Sequence, residues 1–104
     1  MTDRDPNAAL TAELVAESAA TLGNAGRRLE AALAALAAHG PADRRPRGEL
    51  VDAAAYHAWN YVVVRGALGW GDDDRALAAY AVPGEVRARI GVVRTPPPGD
   101  AVDG

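Results

Sequence analysis

The chain has 104 residues, 49% of them hydrophobic, no cysteine, and a formal net charge of −3 at pH 7. Lack of cysteine excludes disulfides, thiolate zinc sites and cysteine nucleophiles, and the interspersed acids and bases give no footprint of a general nucleic-acid binder. All eleven basic residues are arginine; with the abundant alanine this reads as the codon usage of a GC-rich bacterium, not as a functional excess.

Residues 1–4 read as a disordered start. No apolar signal-like run follows Pro6, because Glu13 and Glu17 interrupt the first apolar stretch. No segment reaches the ~18–20 continuous apolar residues of a membrane span, so a cytoplasmic location is expected. Asp5-Pro6 is a helix entry, with Asp as N-cap and Pro at the first helical position. The first helix is expected to run to about Ala38, where Gly40-Pro41 stops it. Val15, Leu22, Leu29 and Leu36 recur at heptad spacing, with the small residues Ser18, Ala25 and Ala32 on the adjacent row. Large beside small lets helix axes approach closely. Gly23 and Gly26 each cost up to about 1 kcal/mol in a helix interior, which points to a close backbone contact or a bend. A rod of about 48 Å outruns a compact domain of this size, whose radius of gyration is about 13 Å. A homodimer through the first helix is the expected remedy.

Residues 40–48 form a polar connection rich in helix breakers. A second helix is expected from about Glu49 to Leu68. Leu50, Val51, Ala54, Ala58, Tyr61, Val62 and Leu68 share one face, with Tyr56, Trp59 and Val63 opposite. A helix apolar nearly all round is buried. Gly69-Trp70-Gly71 ends it, and Asp72-Asp73-Asp74 opens a short third helix through Tyr80, acids suiting the positive end of the helix dipole. A fourth begins at Pro83-Gly84-Glu85 and reaches Ile90. Residues 95–104 have the composition of a disordered, proline-rich tail. The expected fold is all-α, a single helical domain over 5–94: a long first helix packed on a buried second, two short helices after it, and a bundle completed by dimerisation.

Arg65 falls within the apolar face of the second helix. A buried guanidinium needs a partner, and Glu13 or Glu17 is expected to supply it as an internal ion pair; the functional alternative is an anion-binding arginine. His57 and Tyr61, four apart, are neighbours on one helix face. With Arg65 and Trp70 they mark a candidate binding pocket, although a structural histidine is the simpler reading of His57. No catalytic set is recognisable at helical spacing, and the chain is read as non-catalytic. Two histidines and no cysteine suggest no metal, and the acids at 72–74 lack the spacing of a calcium loop, so no cofactor is expected. Arg44, Arg45 and Arg47 read as a solvated connector. Residues 77–90 have a faint helix-turn-helix outline carrying Arg87 and Arg89, but the second helix is short and the nearby acids oppose DNA.

Leu22-Gly23, then Gly26-Arg27-Arg28-Leu29-Glu30, then Trp59-Asn60-Tyr61-Val62-Val63 with Arg65, and Tyr80-x-Val82-Pro83-x-Glu85-Val86 together resemble a small uncharacterised bacterial family, a domain of unknown function of this length. The resemblance covers most of residues 10–94. It implies an all-helical domain and brings no activity, cofactor or ligand with it. The leading expectation is therefore a homo-oligomeric helical interaction protein without catalysis. Behind it stand a small enzyme or ligand-binding protein with an anion-accepting pocket near His57, Tyr61, Arg65 and Trp70, and a DNA-associated regulator.

Overall fold

The structure, a computed structural model, describes residues 6–97. It is all-helical over those residues. Four helices follow in order: α1 Pro6–Ala37, α2 Arg47–Ala67, α3 Asp73–Ala79 and α4 Gly84–Arg87. The expected cap at Asp5, the N-terminal residues 1–4 and all of the tail beyond Pro97 lie outside the described residues. Helix α4 is shorter than expected. After Arg87 the chain tightens into turns, with Arg89 N–H donating to the Val86 carbonyl and Ile90 N–H to that of Arg87, and Ile90 still packs against the core.

Helix α2 lies at the centre, against α1 along its length and against α4 at one side. Its side toward the core is lined by alanine: Ala54, Ala55 and Ala58 are fully buried. Small residues there let the α1 and α2 backbones come close, and Leu29 from α1 and Val86 from α4 are the largest side chains wholly removed from solvent. Leu36, Leu50, Tyr61, Leu77 and Val82 complete the core.

The contact expected at Gly26 exists, and it is made within the chain. A Cβ at Gly26 would collide with the Tyr80 hydroxyl and stand 3.6 Å from the Tyr61 ring. The Tyr61 and Tyr80 rings meet edge to face, centroids 5.1 Å apart, a favoured aromatic geometry. Burial pushes the Tyr80 phenol above its usual value, and a hydrogen bond with Tyr61 adds to that. Gly23 has no such role. It turns away from α2, and a Cβ there would meet only Arg27 of its own helix.

Both turns that end α2 and α3 follow one hydrogen-bond scheme. At the end of α2, Trp70 N–H donates to the Arg65 carbonyl at 2.9 Å and Gly69 N–H to that of Gly66 at 3.0 Å, with Gly69 at φ +79°. At the end of α3, Val82 N–H donates to the Leu77 carbonyl at 3.1 Å and Ala81 N–H to that of Ala78 at 2.9 Å. This is the Schellman arrangement, in which the residue after the cap is left-handed and best served by glycine. At the second turn that residue is Ala81, at φ +55°. The N-terminus of α3 is capped as the acids suggest: the Asp72 carboxylate accepts from Arg75 N–H.

The molecule measures 67 × 30 × 21 Å with a radius of gyration of 16.9 Å, well above the ~13 Å of a compact 100-residue domain. The longest element is α1. Its 32 residues span about 48 Å and the 21 of α2 about 32 Å, so α1 is longer than its partner by about 16 Å, a third of its own length.

Candidate functional site

The stripe that buries Leu29 and Leu36 continues toward the N-terminus of α1 through Leu22, Ser18, Val15, Leu14 and Thr11, all within one face at 100° per residue. Its surroundings change abruptly. Leu29 is 0% exposed, whereas Leu14 is 56% and Val15 62% exposed. Here only the last turn of α2, with Val63, Val64 and Ala67, stands near Leu14. Beyond that point the stripe forms one wall of an apolar trough of about 360 Å³, lined by Leu14, Val15, Ala19 and Leu22 and closed at its base by Leu68 and Trp70. A second depression of about 370 Å³ on the other flank of Leu14 runs to Val63 and Val64. Residues 7–21 carry Glu13 and Glu17 but no cation.

Trp70 is put at the base of the trough by the turn that ends α2. The left-handed Gly69 reverses the chain, and the indole comes to lie over the Arg65 guanidinium, 5.4 Å from ring centre to Cζ. Tyr61 offers its ring to the same guanidinium at 5.8 Å, and Arg65 Nη2 donates to the Gly71 carbonyl at 2.9 Å. Arg65 Nε is buried and has no acceptor. The expected ion pair with Glu13 or Glu17 is not formed. Glu17 faces Val63 and Val64 across the other flank and Glu13 is exposed, while Arg65 points toward the turn before α3. Two π faces and a carbonyl hold the cation in place of a carboxylate.

Of the four candidate residues, the fold brings Tyr61, Arg65 and Trp70 together and sets His57 apart. His57 is buried and packs edge-on against Tyr56 at 5.3 Å. It lines a different groove, of about 260 Å³, between α1 and α2, beside Arg28, Arg45 and Pro97. Arg45 is engaged there. Its Nε and Nη2 donate to the two Asp43 carboxylate oxygens at 3.2 and 3.1 Å, which holds the Asp43 carboxyl below its usual range. His39 Nε2 lies 3.0 Å from the Arg45 carbonyl, so the connector after α1 is tied down rather than loose.

The arginines of the helix-turn-helix outline are likewise paired. Arg87 Nη1 is 3.7 Å from Asp74 and Arg89 Nε 3.0 Å from Asp52, while Arg47 meets Glu85. Exposed pairs contribute at most about 1 kcal/mol each; here they fix α4 against α2 and α3. Among the described residues no group of three or more His, Asp or Glu is placed to hold a metal ion, and no helix is long and apolar enough to cross a membrane.

Sequence reading found the stripe and Trp70 separately and missed that they share a trough. The signal lay in Gly69, whose reversal carries Trp70 back toward α1. A family model described as a family of unknown function, DUF6665, matches residues 3–97 of the chain. No curated protein and no solved structure matches it.

Proposed function

The chain belongs to the DUF6665 family of unknown function, and we propose that it is a helical interaction protein that works by self-association through α1, without catalysis. One observation carries this reading. The apolar stripe of α1 is continuous, but among the described residues its cover thins toward the N-terminus, leaving Leu10, Leu14 and Val15 open beside the half-exposed Trp70. Patches of that kind on otherwise polar surfaces mark interaction sites, and a twofold homodimer is the commonest soluble solution.

Sedimentation equilibrium across micromolar concentrations tests it. A species of twice 10.7 kDa is expected, and Val15→Arg should shift the equilibrium to monomer with helix content unchanged. A wild-type chain that stays at 10.7 kDa throughout defeats the reading.

A further inference from the structure

Independently of self-association, we infer that the acidic segment after Pro97, residues 98–104, lies in the groove between α1 and α2 and sets Asp100 against the Arg28 guanidinium. The groove is thus filled by the chain itself.

The described chain already enters that groove. Its path from α4 is held by a series of contacts. Arg89 Nε donates to the Asp52 carboxylate of α2 at 3.0 Å, Ile90 packs on the core, and Gly91, left-handed at φ +85°, turns the backbone. Arg94 Nε donates back to the Gly91 carbonyl at 2.8 Å. Pro97 follows, half-buried, and borders the groove together with Ala32 and Ala35 of α1 and Ala53 and His57 of α2. Composition alone reads the residues after it as loose, but the seat of Pro97 gives them an anchored start. Pro96, Pro97 and Pro98 are consecutive. Such a run favours the extended polyproline form, so less chain freedom is lost when the next residues settle.

Charge and length both match. Arg28 and Arg45 border the groove, with no acid beside them among the described residues. Asp43 already engages Arg45, whereas Arg28 is exposed and has no ion-pair partner among the described residues. Residues 98–104 bring the carboxylates of Asp100 and Asp103 and no base. Extended at about 3.3 Å per residue, they carry Asp100 about 10 Å past Pro97 and Asp103 about 20 Å. Along α1 the groove covers Ala35 to Arg28, about 10 Å. There it joins a second depression that shares Arg28 and continues past Asn24 to Thr21, with Asn60 of α2 opposite, for about another 10 Å. Asp100 is therefore within reach of Arg28, and Asp103 within reach of the Asn24 and Asn60 carboxamides, which can donate to it. An exposed arginine–carboxylate pair is weak between separate molecules. A short tether keeps this carboxylate at a high effective concentration, which favours the chain's own segment over that of a second copy.

Amide ¹⁵N relaxation on the full chain tests this. Order parameters at residues 100–103 should approach the ~0.85 of rigid backbone and fall below about 0.6 in Arg28→Gln and in the double variant Asp100→Asn, Asp103→Asn. Arg28→Lys keeps the charge and should keep the order. All these positions lie outside the core, and unchanged α1 and α2 resonances verify that each variant folds. Wild-type values below about 0.6 would mean that the segment is not docked. Order that survives both charge removals would overturn the pairing with Arg28. Order that fades on dilution would place the segment in the groove of a second copy and overturn the intrachain assignment.

Discussion

One heptad row runs through both halves of α1, yet its residues are core in one half and surface in the other. Leu29 and Leu36 share a heptad row with Val15, and nothing intrinsic to the helix separates them. What differs is whether α2 lies opposite. Helical periodicity states which side of a rod is apolar, and the length of the neighbouring element states how much of that side is covered. Excess apolar face is thus a property of the pair, not of either helix alone.

The contrast can be broken most forcefully at matched positions. Leu29→Ala should cost about 2–5 kcal/mol, since it removes a fully buried side chain and leaves a cavity. Leu14→Ala should change the stability of dissociated chains by less than about 0.5 kcal/mol. Urea melts at low protein concentration measure both. At high concentration the proposed association should give the wild type a concentration-dependent stabilisation that the Leu14 variant lacks. Equal costs for the two substitutions in dilute protein would mean that the N-terminal half packs within its own chain.

The covered half is sharpened by its tightest contact. Gly26→Ala should destabilise by about 1–3 kcal/mol, the range for forcing atoms into a packed site, because Tyr80 Oη stands where the methyl must go. Tyr80→Phe removes that oxygen and should recover part of the loss. The double-mutant cycle should therefore show a favourable coupling, as expected for residues in contact. Additive costs would show that Tyr80 is not the obstacle.

The same tyrosine gives a pH signature. Its pKa in the fold is raised above the ordinary 10.0, so above that pH the unfolded chain gives up this proton while the folded chain keeps it. The stability this contributes is fully present below about pH 10 and is lost as pH climbs through the folded-state value. Thermal melts should fall off in that alkaline window, and Tyr80→Phe should fall off less. An identical decline in both would assign it to other groups.

At the boundary between the halves, Arg65→Ala should cost about 1 kcal/mol, the scale of a cation–π contact and one hydrogen bond. The roughly 3–5 kcal/mol of a broken buried ion pair would instead reveal a carboxylate partner. The smallest effect should be favourable. Ala81→Gly relieves a left-handed alanine at the end of α3 and should raise stability by about 0.5–1 kcal/mol. A loss would place Ala81's methyl in a stabilising contact.

The amino-acid sequence by itself determined the helices, their order and the apolar side of each, because periodicity, proline, glycine and capping acids act over a few residues. It marked α2 as the central helix through its nearly continuous apolar surface, and Gly23 and Gly26 alike as places of close approach or bending, of which Gly26 alone makes the close contact. Only the tertiary structure decided what fills those places. Tyr80 comes to Gly26 from 54 positions away. Arg65 takes two aromatic faces and a carbonyl instead of Glu13 or Glu17, because the turn at Gly69 folds Trp70 back over it. His57, one turn from Tyr61 on the same helix, looks into another groove. Local rules fix the direction in which a side chain leaves its helix, but its neighbour depends on where the other elements begin and end. For this chain that endpoint is Ala67, beyond which, among the described residues, Leu68 and Trp70 only partly cover the apolar face of α1.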